Sequence, residues 1–174
     1  MTTLQVILWS SGYLVELFAV IYFTRPTARR VVGAIIGGAV VAWFVLCAIA
    51  ACEALRWFHV PFEPTPWYLP LFYAGTVISC APLYLITWRV ARRFGAYGLA
   101  ACMLGAAIIG PPRDLLIVKI FPSWMTFSPG LAPMLADSLT YFGIVAIGHA
   151  VSRLVAGPSC EDRLAPRPWE SPKV

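Results

Sequence analysis

Long apolar segments separated by short arginine-bearing turns dominate the chain. A helix needs about 20 apolar residues to cross roughly 30 Å of hydrocarbon. Five segments of about this length occur, at residues 4–24, 31–52, 67–88, 94–112 and 130–155. Backbone N–H and C=O groups in lipid must be satisfied within their own segment, so these runs are expected to be helices. The pattern predicts an all-α fold: a polytopic transmembrane helix bundle of about five spanning helices within residues 1–156.

The fourth segment ends at an unusual local sequence, Pro111-Pro112-Arg113-Asp114. Two successive prolines remove two backbone donors and break the helical ladder. Arg113 and Asp114 are predicted to start a new helical turn after this interruption. The apolar run that follows is too short to span a bilayer, so residues 111–121 are predicted to be re-entrant, interfacial or the kinked end of a span.

Lysine and arginine residues are divided unequally between the two sets of turns. Ten belong to one set: Arg25, Arg29, Arg30, Arg89, Arg92, Arg93, Arg153, Arg163, Arg167 and Lys173. The other set contains Arg56, Arg113 and Lys119. Basic loops remain in the cytosol during insertion, so an odd number of spans places the N-terminus outside and the C-terminus in the cytosol. Residues 157–174, rich in proline and charge, are predicted to be a disordered cytosolic tail.

Composition supports the membrane interpretation. Charged residues are 12% of the chain and hydrophobic residues 60%, whereas a soluble domain has about 25% charged residues. The net charge of +5 comes from the turns, so it is an orientation signal, and nucleic acid is not expected as a partner. The protein is expected in a cytoplasmic (inner) membrane as a multi-pass protein, with the first segment retained as a helix because no basic residue precedes it.

Ionisable groups inside the apolar segments are the candidates for chemistry. A charged side chain in lipid costs at least a few kcal/mol, so it needs a partner or a function. The candidate catalytic residues are Glu16, Asp114 and Asp137. Each also has a structural interpretation: a carboxyl group hydrogen-bonded to a neighbouring helix or placed favourably at a helix N-terminus.

Four further residues are candidates for ligand binding: Arg113, Tyr13, Tyr141 and His149. Arg113 is predicted to be a buried counter-ion for Glu16, for Asp137 or for an anionic group such as a phosphate. The tyrosines share helix faces with the acids, and His149 is predicted in the inner half of the last segment. The alternative for each is a hydrogen-bonded packing residue.

The sequence predicts no metal site and identifies no cofactor. The two histidines, His59 and His149, fall at opposite membrane depths, which argues against a haem held by both. The five cysteines form no CxxC pair, and no nucleotide-binding loop or hydrolase signature is present.

Close helix packing is expected at Gly33-xxx-Gly37, Ala34-xxx-Gly38 and Ala101-xxx-Gly105. Two loops, residues 56–68 and 121–130, are rich in aromatic residues and proline. They are predicted either to anchor at the interface or to cover the outer ends of the helices.

Three functional hypotheses remain open. The first is a ligand-binding or accessory subunit of a membrane complex that handles a hydrophobic or lipid-like molecule. The second is a membrane-embedded enzyme acting on an isoprenoid or lipid substrate through intramembrane carboxylates, and the third is a small proton-coupled transporter in which Glu16 titrates. The expected partners are the lipid bilayer, a hydrophobic small molecule, and a partner membrane subunit or a second copy of the chain.

Overall fold

The computed structural model describes residues 2–62 and 64–158. Most of the predicted disordered tail, residues 159–174, lies outside these ranges. The elements in chain order are α1 (Thr3–Thr24), α2 (Ala28–Ala54), β1 (Phe58–His59), α3 (Tyr68–Ile120), β2 (Thr126–Phe127) and α4 (Leu131–Ala156). The prediction of an all-helical protein is confirmed. Within the described ranges, four helices are long and apolar enough to cross a membrane, which is consistent with a multi-pass membrane protein.

The first two helices begin at threonine caps. Thr2 accepts a hydrogen bond from the backbone N–H of Gln5, and the Gln5 side chain accepts one from the backbone N–H of Thr2. This reciprocal pair satisfies two donors that a helix N-terminus otherwise leaves unpaired. Thr27 caps α2 in a similar way by accepting from the N–H of Arg30. Between these helices Arg25 adopts a left-handed conformation (φ 52°), so the chain reverses within three residues.

Helix α3 is divided at Gly95, where the backbone has φ 60° and ψ −142°. A side chain would be strained in that conformation, and glycine tolerates it. We call residues 68–94 the first arm and residues 96–120 the second arm. Thr76 and Asp114 lie 19 residues on either side of Gly95, and a straight helix would separate them by about 57 Å. Both line one cavity, so the arms fold back on each other and the described residues form a bundle of five helical rods.

Residues 111–120 form the end of a helix, which is one of the three alternatives that the sequence left open for this segment. The second arm continues through both prolines to Ile120. A helix embedded among other helices tolerates proline better than an isolated one, since neighbouring elements hold its position. Here Gly110 and Pro111 are buried, and the ring of Tyr141 from α4 lies directly against Gly110. Packing against α4 therefore holds the helix together at the point where its own hydrogen bonding is weakest.

Small residues bring α2 close to its neighbours, as predicted for two of the three motifs. A Cβ on Gly37 would lie 2.7 Å from the carbonyl oxygen of Gly148 in α4. A Cβ on Gly38 would lie 2.8 Å from the carbonyl oxygen of Val77 in the first arm. Gly105 has no neighbour within 4 Å of such an atom, so the third motif does not mark a close contact.

The main core cluster joins α1, α2 and the first arm. Its buried members are Leu17, Ala34, Val41, Cys80, Ala81, Tyr84 and Leu85. Helix α1 packs mainly against α3, whereas α2 packs against both α3 and α4. Helix α1 is therefore the peripheral rod of the bundle.

One end of the bundle, which we call the arginine end, is held together by Arg30. This side chain is 1% exposed and donates hydrogen bonds to the carbonyl oxygens of Ala156 (3.4 Å), Gly157 (2.9 Å) and Pro158 (3.4 Å). Its guanidinium carbon lies 5.4 Å from the ring centroid of Trp88. Carbonyl groups at a helix C-terminus lack partners within the helix, so Arg30 links the start of α2 to the end of α4.

The opposite end, which we call the aromatic end, is covered by the two aromatic and proline-rich loops. They pair through the short antiparallel strands β1 and β2, with Phe58 opposite Phe127. The backbone N–H of Ser128 also donates to the carbonyl oxygen of Trp57 at 2.9 Å. The loops therefore form one unit, which we call the cap.

Candidate functional site

Arg113, Asp114 and Tyr141 form a closed hydrogen-bonded cluster. Arg113 donates to Asp114 Oδ1 from Nε (3.0 Å) and from a terminal nitrogen (2.9 Å). The same terminal nitrogen donates to the hydroxyl of Tyr141, and that hydroxyl donates to Asp114 Oδ2 at 2.9 Å. The carboxylate of Asp114, the hydroxyl of Tyr141 and two of the three guanidinium nitrogens are thus satisfied within the cluster, as a low-dielectric site requires.

The local sequence explains why these side chains meet. Arg113 and Asp114 are adjacent on the second arm, and Tyr141 reaches them from α4 because Gly110, one turn earlier, has no side chain to exclude its ring. The guanidinium carbon of Arg113 lies 5.3 Å from the Tyr141 ring centroid, within the range of a cation–π contact. Asp114 is 14% exposed and Arg113 49%, so the acid is the more enclosed partner.

Asp137 lies beside this cluster but is not bonded to it. The residue is 7% exposed, and its Oδ2 is buried without a hydrogen-bond partner in the described part of the chain. The hydroxyl of Thr140, one turn along, is engaged with the carbonyl oxygen of Ala136 at 2.9 Å. Asp137 is therefore a buried acid that still has an oxygen available for a hydrogen bond.

A cavity of about 320 Å³ connects these groups. It lies between α1, α2, both arms of α3 and α4, beneath the cap. Its polar wall consists of Ser10, Tyr13, Thr76, Ser79, Arg113, Asp114, Asp137, Thr140 and Tyr141, and the rest of the wall is mainly apolar or aromatic. From the helical rise, Arg113 and Asp137 lie about 10 Å below the aromatic end and Tyr141 about 15 Å below it. The polar wall is thus inside the bundle.

Aromatic side chains make up much of the remaining wall. Trp9, Phe58, Phe72 and Trp124 all line the cavity. The ring centroids of Trp9 and Trp124 are 4.8 Å apart, so α1 and the cap meet there. The indole Nε1 of Trp124 is buried and has no hydrogen-bond partner within residues 2–62 and 64–158.

The structure places the candidates from the sequence in three locations. Tyr13, Arg113, Asp114, Asp137 and Tyr141 line the cavity together. Their catalytic or binding roles stay predictions, but they share one site. Arg113 is paired with Asp114 and, among the described residues, with neither Glu16 nor Asp137.

Glu16 lies outside the cavity. It is exposed on α1 and borders a shallow depression with Leu8, Trp9, Gly12 and Tyr13. Trp9 and Tyr13 belong to both the depression and the cavity wall, so the two adjoin. The role of Glu16 as a titrating group stays a prediction.

His149 lies toward the arginine end, away from the cavity. It is 7% exposed, and its Nδ1 has no hydrogen-bond partner among the described residues. His59, at the other end, is 2.6 Å from Glu53. In the described ranges, no three His, Cys, Asp or Glu side chains come together as a metal site requires.

Sequence reasoning missed the contribution of Trp9 and Trp124 to the cavity. Tryptophan is enriched at membrane–water boundaries, so neither residue by itself indicates a cavity wall. Their place in the chain, near the start of α1 and in a loop between helices, gave no signal that they face each other. Ser10 and Ser79, which also line the cavity, were missed because their positions in the sequence do not show which way they face.

Comparison with protein-family models, with curated proteins and with solved structures finds no match for this chain.

Proposed function

We propose that the protein is a membrane-embedded binding module, which holds an amphipathic, lipid-like molecule in the cavity beneath the cap. The observation that supports this is the combination of apolar and aromatic walls with one polar cluster inside the bundle. Ligand sites are concave and mostly apolar, with a few polar groups that fix the ligand's orientation. The cavity volume of about 320 Å³ is at the lower end of the usual range, about 300–1,000 Å³.

The size of the cavity limits how much of a ligand it encloses. A water molecule occupies about 30 Å³ in the liquid, so the cavity has room for a head group and the first part of a chain. The rest of an apolar chain would leave between helices. The depression formed by Gly12 and Glu16 on α1 adjoins the cavity wall, and α1 is the peripheral rod, so this side is the proposed route to the lipid.

The proposed topology has five crossings, with the arginine end in the cytosol of a cell bounded by a cytoplasmic membrane. Each arm of α3 is about 25 residues long, or roughly 38 Å at 1.5 Å per residue, enough to cross about 30 Å of hydrocarbon. Reporter fusions before Thr3 and after Ala156 are expected to report opposite sides of the membrane. Reporters on the same side would contradict five crossings.

The binding function can be tested by filling the cavity. Ala48 on α2 lines the cavity, whereas Ala50, two residues later, is exposed on the outside of the bundle. Ala48→Phe should therefore displace a ligand, and Ala50→Phe adds the same side chain where only lipid is displaced. Native mass spectrometry of protein purified in dodecyl maltoside is expected to show a bound lipid-like molecule on the wild type and on Ala50→Phe, and its loss on Ala48→Phe. Equal occupancy of all three proteins, or none on the wild type, would refute the proposal.

A membrane-embedded enzyme is the second candidate. It is favoured by Asp137, whose Oδ2 has no hydrogen-bond partner among the described residues and which lines the cavity beside Tyr141 and the Arg113–Asp114 pair. A buried acid with an available oxygen is suited to proton transfer to or from a bound molecule. An enzyme blocked by Asp137→Asn should accumulate its substrate. The molecule retained by this variant would then differ in mass from that on the wild type, whereas equal masses would argue for binding alone.

A further inference from the structure

The charges around the cavity specify the class of head group that it accepts. This inference rests on the proposed binding function. Three residues of the cavity wall carry formal charges: Arg113, Asp114 and Asp137. Arg113 is paired with Asp114 through two hydrogen bonds of 3.0 and 2.9 Å, which leaves Asp137 as the unpaired charge-bearing group of that wall.

An anionic head group does not fit this arrangement. Two of the three guanidinium nitrogens of Arg113 are already engaged by Asp114 Oδ1 and by the Tyr141 hydroxyl, so an anion would have to compete with Asp114 for the charge of Arg113. It would also approach the carboxyl group of Asp137. Leaving a buried carboxylate without its partner is strongly unfavourable, so the cluster discriminates against carboxylates and phosphates.

A cationic head group fits for two independent reasons. The first is Asp137, which is 7% exposed and whose Oδ2 has no partner in the described ranges. The second is the aromatic wall made by Trp9, Tyr13, Phe72 and Trp124. Organic ammonium ions are recognised by aromatic faces together with a carboxylate, since the ring quadrupole attracts a cation most strongly when water is excluded.

We propose that the cavity binds the ammonium group of an amphipathic amine or quaternary ammonium compound, with Asp137 as the counter-ion and the Trp9–Trp124 aromatic wall around the cation. The apolar chain of the ligand then extends toward the lipid beside α1. The Arg113–Asp114–Tyr141 cluster serves as a neutral support that excludes anions.

The test compares four ligands with the same twelve-carbon chain: dodecylamine, dodecyltrimethylammonium, dodecanol and dodecanoate. Binding of each radiolabelled compound is measured on the full chain in dodecyl maltoside, a detergent without charge, so that partition into the micelle is the same for all variants. The measured quantity is the ratio of the affinity for an ammonium compound to the affinity for dodecanol, because the contribution of the shared twelve-carbon chain cancels in this ratio. The wild type is expected to bind both ammonium compounds about tenfold or more tightly than dodecanol, as for a hydrogen bond or ion contact to a charged group, and to bind dodecanoate least.

Two variants and one control isolate the proposed counter-ion. Asp137→Asn, which is nearly the same size, should bring the ammonium-to-alcohol ratio close to one. Trp124→Leu should lower that ratio without abolishing the binding of dodecanol. It provides the test of the ammonium site if Asp137→Asn does not fold. Glu53→Gln neutralises an exposed acid at the end of α2 that does not line the cavity, and should leave the ratio unchanged.

The outcomes separate this inference from the proposed function. Tighter binding of dodecanoate than of dodecylamine, or an unchanged ratio in both Asp137→Asn and Trp124→Leu, would overturn the ammonium assignment. If Ala48→Phe still reduces dodecanol binding in that case, the cavity remains a site for amphipathic molecules. If Ala48→Phe changes the binding of none of the four compounds, the proposed function and this inference fail together.

Discussion

Removing the hydroxyl of Tyr141 probes the polar cluster with little disturbance of the packing around it. That hydroxyl accepts a hydrogen bond from Arg113 and donates one to Asp114 at 2.9 Å, and both bonds join α4 to the second arm of α3. Phenylalanine keeps the ring that packs against Gly110 and that lies 5.3 Å from the guanidinium carbon of Arg113. The Tyr141→Phe variant therefore removes two interhelical hydrogen bonds and leaves one carboxylate oxygen without its donor.

The expected loss of stability follows from the number of bonds removed. Hydrogen bonds between helices in a membrane contribute on average about 0.6 kcal/mol and at most about 1.7 kcal/mol each. Two of them, one to a guanidinium and one to a carboxylate, give an expected decrease of about 1–3 kcal/mol in the free energy of unfolding. Because Arg113 and Asp114 stay paired with each other, the larger cost of an isolated buried charge does not arise.

The measurement is unfolding of the protein in mixed micelles as the fraction of sodium dodecyl sulfate rises, followed by tryptophan fluorescence. Tyr97→Phe is the matched control, since Tyr97 is 89% exposed and the same atom is removed there. Tyr141→Phe should unfold at a lower dodecyl sulfate fraction than either the wild type or the control. Identical transitions for the three proteins would refute the reasoning that this hydroxyl links α4 to the second arm.

Two further predictions concern the packing of the bundle. Gly148→Ala places a methyl group against the ring of Tyr84 and should destabilise the protein by about 1–3 kcal/mol in the same unfolding assay. The control is Gly105→Ala, which has no neighbour within 4 Å and should be neutral or slightly stabilising. Equal effects of the two substitutions would contradict the close contact between Gly148 and Tyr84. Arg30→Gln removes the charge that caps the end of α4 and should lower stability by about 2 kcal/mol or more. Its control is Arg153→Gln, at an exposed position, and a comparable loss in that variant would argue against the special role of Arg30.

The positions of the helices were largely accessible from the sequence, because length and hydropathy are local properties. The predicted segment 4–24 corresponds to α1, and the segment 130–155 corresponds closely to α4 (Leu131–Ala156). At the Pro111–Pro112 pair the sequence left three alternatives open. Proline is costly in an isolated helix, but contact with Tyr141 of α4 is a tertiary effect that the local sequence does not contain.

The candidate site was only partly accessible. Intramembrane acids and arginine can be identified because charge in an apolar segment is conspicuous. Which of them meet depends on how each helix is rotated about its axis and on where α3 folds back. Glu16 illustrates this: it is the acid nearest the middle of an apolar segment, yet its helix turns it away from the cavity.

The sequence by itself determined that the chain is helical and apolar, that basic residues mark one set of turns, and that a small group of ionisable residues lies within the apolar segments. These follow from the cost of exposing charges and backbone polar groups to lipid. Tertiary structure decided that Arg113 pairs with Asp114 and Tyr141, and that Asp137 keeps an available oxygen in an aromatic cavity. The physical reason is that contacts between helices depend on the reversal at Gly95 and on side-chain packing across the bundle, to which residues distant in the chain contribute together.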